Sequence, residues 1–243
     1  MCSSDLLDGP AAISGSYWQQ GSAAGWAGET TRSSPAATML TASEFTQAGK
    51  FTGFDFVSTW VLDVGLSPAQ AADLAQAGCH LATPGWDVDI TRWKGVPTWF
   101  RAMTARPFLP NYVKDADIIL WLDADIWVQD LTMLGDYVDI AREGGFAVCL
   151  EMDRCYNSVF LRNSSREEYY NNLSRYFGED VANRLIHLPM MNCGAFAMPV
   201  THPVWGLWQQ TIKTAATRFC NNFMEQTALN MAVYSNKIGR AHV

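Results

Sequence analysis

Residues 118–122 read Ile-Ile-Leu-Trp-Leu, without a single polar position. A strand with one wet face alternates apolar and polar residues, so this run predicts a strand buried on both faces. Such a strand needs cover from other elements on each side. It also runs directly into Asp123-Ala124-Asp125, and burying unpaired carboxylates is costly. A buried strand that ends on two acids therefore asks what the acids hold.

The surrounding pattern supplies the cover. Residues 56–67 are β-branched and aromatic-rich and predict a buried strand ending at Gly65. Ser67 is a helix N-cap with Pro68 at the first helical position, and Gly78 closes the helix 68–78. A short strand follows at 80–83, then a helix over 97–105 that stops at Arg106-Pro107, because proline disfavours helical geometry in the residue before it. After the acidic run come a helix over 131–145 and a strand over 146–153. Ser164 or Ser165 with Glu167 or Glu168 predicts a capping box for a helix over 166–178, and a second helix covers 179–187. Residues 192–199 predict a strand. Pro203 opens a helix whose Trp205, Trp208, Ile212 and Phe219 share one face, and a last helix covers 222–234. Strands alternating with helices predict an α/β fold built on a mostly parallel sheet with helices on both faces.

The chain of 243 residues is 49% hydrophobic and 17% charged, which suits a globular enzyme and excludes disorder as its general state. Its net charge of -7 argues against a nucleic-acid backbone as partner. No apolar run is long enough to span a bilayer, and no secretion signal opens the chain. The 6 cysteines lack CxxC or metal spacing, so a reduced, cytoplasmic setting is the simplest expectation. Residues 1–6 (MCSSDL) and 238–243 (IGRAHV) each match a translated sequencing adapter, read from opposite strands. They are expected to be scars, which leaves Cys2 and His242 without meaning and the reading frame cut at both ends. Residues 1–50 are poorly defined; from residue 7 they are rich in Ser, Ala, Gly and Thr. Residues 51–237 are the expected domain.

Asp123 and Asp125 carry the clearest chemistry. In open α/β sheets, ligands bind beyond the carboxyl ends of the strands. Two carboxylates at i and i+2 in extended chain project to one side, where they can share a hard cation such as Mg²⁺ or Mn²⁺ that keeps positions open for phosphates. A bare DxD is frequent by chance, and a solvated turn with one acid capping the next element is its simpler account. Asp115 and Asp117, in the matching triplet before the strand, belong to the opposite end of the sheet.

The segment 115–130 resembles the corresponding part of GT-A fold glycosyltransferases, especially the family 8-like group. Similar pieces occur in the same order at 61–67, 94–110, 148–154, 188–198, 202–208 and 225–230, so that the likeness spans roughly residues 55–236. The resemblance implies a GT-A-like, Rossmann-related fold that is incomplete in this chain. It also implies transfer of a sugar from a nucleotide-sugar donor to a carbohydrate or other hydroxyl acceptor, with retention of anomeric configuration. Asp123 would lie near the ribose and the metal, and Asp125 would bind the Mn²⁺ or Mg²⁺ directly. Arg106 would contact the nucleotide or diphosphate, although a surface arginine at a helix end is also satisfied by the dipole. Asn192, in Asn-Cys-Gly, would reach the transferred sugar, or else form a plain turn. Glu225 and Gln226 match the family's Asp-Gln pair facing the donor sugar, with Glu one methylene longer than Asp. A solvated acid in a first helical turn is the alternative for Glu225. The family's third metal ligand, a histidine near the C-terminus, has no match before the adapter-like tail.

Other residues weigh less. Glu151 and Asp153 follow a strand end and could line the acceptor side, but pairing with Arg154 is the simpler expectation. His80 and His187 read as packed or surface residues and His202 as a cap. Trp205 and Trp208 read as core, whereas Trp86 in a loop is an acceptor-site candidate. The cysteines read as small buried apolar residues. Two alternatives to the transferase stand: a nucleotidyltransferase, for which no glycine- and lysine-rich phosphate loop is found, and a non-catalytic nucleotide- or carbohydrate-binding relic.

Overall fold

The computed structural model describes the backbone of residues 16–17 and residues 58–124, 126, 128, 131–151 and 163–236. The terminal hexapeptides, Asp125, Trp127, Asp153 and Arg154 lie outside the described residues. The chain divides into two compact units, one taking in residues up to 85 with 97–102 and 121–136, the other 86–96, 103–120 and 137 onward.

The first unit contains a three-stranded parallel sheet of β1 (Ser16–Tyr17), β2 (Trp60–Asp63) and β3 (His80–Ala82), with β2 in the middle. Between β2 and β3 runs α1 (Pro68–Gln76), whose start is the predicted one. Ser67 Oγ accepts from Gln70 N at 3.3 Å and Gln70 Oε1 accepts from Ser67 N at 2.9 Å, a reciprocal capping box. Gly78, at φ +88, takes the left-handed turn that ends the helix. Val61, Leu74 and Cys79 form the core between sheet and helix.

The second sheet has the order β4 (Ile118–Leu122), β6 (Met191–Pro199), β5 (Ala147–Leu150). The apolar run is indeed a strand, with Ile119, Trp121 and Leu122 buried and Ile118 and Leu120 packed in a cluster with Tyr137 and Ile140 of α4 (Leu131–Arg142). Strand direction departs from the expected sheet: β5 and β6 are antiparallel. The protein is thus a mixed α/β structure, not one mostly parallel sheet. Apolar runs report burial but not direction, because direction is set by tertiary pairing.

Helices cover this sheet's unit. The helix predicted at 97–105 is α2 (Phe100–Ala105), and it continues as a 3₁₀ turn (Arg106–Phe108) and α3 (Leu109–Tyr112). Next come α5 (Asn163–Phe177), α6 (Glu179–Leu185), α7 (Val204–Ala216) and α8 (Met224–Ser235). Helix α5 begins before Ser164 and Ser165, so neither serine is its cap. Trp205, Trp208 and Ile212 are buried on α7 as expected, and Phe196 of β6 packs edge-on against both indoles at 5.9 and 5.6 Å. Phe219 lies beyond the end of α7 and packs on Tyr176.

Candidate functional site

A break in one strand pairing builds the site. Along β5 and β6 the partners are Val148↔Phe196 and then Cys149↔Asn192. Consecutive residues of β5 thus face residues four apart on β6, which leaves Cys193, Gly194 and Ala195 bulged relative to β5. A bulge releases backbone N–H groups from the ladder and re-aims side chains, which is why bulges gather near functional sites.

The released groups are put to use at once. Gly194 N donates to Asn192 Oδ1 at 2.7 Å, and Cys193 N donates to Gln226 Oε1 at 3.2 Å. Because a backbone N–H can only donate, these bonds fix the oxygen end of each side-chain amide. The nitrogen ends must then point the other way, and both meet one carboxylate. Asn192 Nδ2 donates to Glu151 Oε1 at 2.9 Å and Gln226 Nε2 donates to the same oxygen at 3.2 Å. Glu151 is delivered there by the end of β5, where its N–H donates to Met190 O at 2.8 Å. Among the described residues, Glu151 Oε2 and the second hydrogen of each amide nitrogen have no hydrogen-bond partner. The cluster thus presents one acceptor and two donors, rigidly held.

Burial pushes the Glu151 carboxyl above its ordinary range, and the two amide hydrogen bonds pull part of the way back. Tyr169, buried on α5, has its phenol raised further by burial and by the nearby Tyr234 and Glu151, and its hydroxyl has no partner among the described residues. Asn230 braces the cluster from below. Its Oδ1 accepts from Met191 N at 2.8 Å, and its Nδ2 donates to Met191 O at 3.0 Å and to Gln226 O at 2.8 Å. One fully buried amide therefore ties the start of β6 to the first turn of α8.

Arg106 and Glu225 also come together, but inside the protein. Arg106 Nη1 lies 3.0 Å from Glu225 Oε2, with side chains only 7% and 1% exposed. Trp208 Nε1 donates to the Glu225 carbonyl at 3.0 Å. Arg106 is not a surface arginine and Glu225 is not a solvated helix-start acid. The pair fastens the 3₁₀ turn to α8.

Asp123 lies just past β4 and is half-buried. Trp121 Nε1 donates to its Oδ1 at 2.8 Å, and its carbonyl accepts from Ile126 N at 3.0 Å. An indole that fixes one oxygen orients a carboxylate as outer-shell partners orient metal ligands. A single oriented hard-oxygen donor fits one position around Mg²⁺ or Mn²⁺. Among the described residues no group of three or more His, Cys, Asp or Glu is placed to hold a metal. His80 stacks on Trp60 at 4.8 Å and His187 meets Arg166, in keeping with packed and surface roles. His202 Nδ1 accepts from Val204 N at 3.3 Å, but the residue at the cap position of that helix is Pro203, so His202 stands one residue before the expected place.

Among the described residues the partners of Glu151 are two amides, which its sequence neighbours do not announce, and its expected pairing with Arg154 lies outside the described residues. Sequence reasoning passed over Asn230, although Gln226 and Asn230 stand four apart on one helix face and asparagine is a poor helix former without a task.

No described helix is long and apolar enough to cross a membrane. No family model and no curated protein matches the sequence. Among solved structures, the chain is similar to a crystal structure of the galactosyltransferase LgtC in complex with donor and acceptor sugar analogues. The TM-score is 0.44 and the identity 16%, over 78% of this chain and 64% of that one, so the chain spans less than two thirds of its length.

Proposed function

We propose that the protein is a glycosyltransferase that takes a sugar from a nucleotide-sugar donor and passes it, with retention, to a hydroxyl acceptor. The observation that carries this reading is the convergence of Asn192 and Gln226 on Glu151. Two amides clamped at both ends, with N–H groups and a carboxylate oxygen to spare, are suited to the hydroxyls of a sugar, and pre-orientation lowers the entropy cost of binding it. Asp123 and Asp125 would hold Mg²⁺ or Mn²⁺ against the diphosphate. Such a cation supplies Lewis acidity that offsets the charge developing on the leaving nucleoside diphosphate.

In this reading Asn192 and Gln226 bind and orient the donor sugar. Arg106 and Glu225 act from behind as positioning residues, because the buried pair sets the first turn of α8 from which Gln226 projects. Thermal denaturation with and without Mn²⁺, across UDP- and GDP-sugars, tests the proposal. A donor at a hundredfold excess over its Kd adds about 2.7 kcal/mol of stability, and the stabilisation should need metal and nucleotide together. Asp123→Asn and Asp125→Ala should each remove it. Stabilisation that persists in both variants, or that ignores the metal, would sink the assignment.

A further inference from the structure

Residues 86–96 and the C-terminal end of α7 line an open-sided cavity of about 760 Å³, within the roughly 300–1,000 Å³ of small-ligand sites. Two indoles line it. Trp86 is 45% exposed, and Trp93 is locked by its Nε1 donating to Ala216 O at 2.8 Å. Asp87, Asp89, Arg92 and Lys213 line it as well, and each is held by a neighbour. Asp89 Oδ1 accepts from Thr91 N at 3.0 Å and Thr91 Oγ1 at 2.7 Å, and Asp87 Oδ2 accepts from the Tyr112 hydroxyl at 2.7 Å. Arg92 Nη1 donates to Thr217 O at 2.7 Å, and the Lys213 ammonium sits 5.2 Å from the centre of the Phe108 ring. Carboxylates and guanidinium retain further lone pairs and N–H groups for a ligand.

We infer that this cavity binds a neutral saccharide. A pyranose ring offers an apolar C–H face that can lie on an indole, and a rim of hydroxyls that both donate and accept. The cavity matches each requirement with exposed Trp86, two carboxylate acceptors and two cationic donors. The four charges cancel, so an anion gains no net attraction, and an entirely apolar ligand would desolvate them without return. The inference rests on the transferase reading only in making this saccharide the acceptor. Binding itself requires neither nucleotide nor metal.

Tryptophan-fluorescence titration and saturation-transfer NMR with maltose and lactose test it, on the full chain with EDTA present and nucleotide absent. Saturable binding is expected for at least one sugar, about tenfold weaker in Trp86→Ala and weakened in Asp89→Asn, whose side chain is exposed enough to leave folding intact. Lack of saturable binding by the wild type would overturn the inference. So would binding unchanged in both variants, or displacement of the sugar by inorganic phosphate. Failure here with metal-dependent donor stabilisation intact removes the acceptor site alone; the reverse pattern leaves a saccharide-binding protein and removes the transferase.

Discussion

Glu225 and Gln226 are neighbours in the first turn of α8, yet they serve two different structures. Glu225 is 1% exposed and closed onto Arg106. Gln226 reaches the half-buried Glu151, where hydrogen-bonding capacity remains. One residue along a helix is a rotation of about 100°, enough to send one side chain into the core and the next to the Glu151 carboxylate. Adjacent residues of a paired motif thus sit in different surroundings: the charged member is closed in a buried ion pair, and the neutral member is the one proposed to read a sugar.

Substitutions can break that contrast in graded ways. Arg106→Met leaves Glu225 charged and buried, and should cost about 3–5 kcal/mol, measured by urea unfolding. Arg106→Met with Glu225→Leu should recover most of it, because an apolar pair replaces a buried ion pair at little net cost. Asn230→Leu strands a backbone N–H and a carbonyl at Met191 and should cost about 2–3 kcal/mol by the same measurement. Gln226→Ala should cost only about 1 kcal/mol, the worth of an ordinary hydrogen bond at a half-buried site.

The smallest effect is a pH dependence. Burial raises the Glu151 pKa above its ordinary 4.5 in the folded chain. Between that value and the raised one, the folded state binds more protons than the unfolded, so stability falls as pH rises through the window. Glu151→Gln removes the titration while keeping an acceptor for both amides. The variant should melt higher than the wild type near neutral pH, by about 2 °C or less, and the difference should vanish below the ordinary carboxylate pKa.

Much of the frame was legible because local chemistry dictates it. Ser67 and Pro68 start α1 and Gly78 ends it whatever the rest of the chain does, and the apolar run 118–122 seeks burial wherever it goes. The antiparallel direction of β5 and β6 was not legible, nor was the bulge at 193–195, since both depend on long-range register. That bulge also brings Asn192 to Glu151, a contact hidden by sequence distance. The expected pairing of Glu151 with Arg154 lies outside the described residues, while its bonded partners among them lie 41 and 75 residues away. The burial of Arg106 was not legible for a related reason: a helix-end arginine usually faces water, and only the fold brings Glu225, 119 residues on, to bury it.

Calorimetric titration of the donor separates the two neighbours most directly. With Mn²⁺ present, the wild type should bind a nucleotide-sugar more tightly than the matching nucleoside diphosphate, the difference being the contribution of the sugar. Gln226→Ala should erase that preference while leaving nucleoside diphosphate affinity unchanged, and the folded Arg106→Met/Glu225→Leu double variant should keep it. A Gln226→Ala protein that retains the full preference, or a double variant that loses it while folded, would contradict the assignment of Gln226 to the donor sugar and of the ion pair to the scaffold.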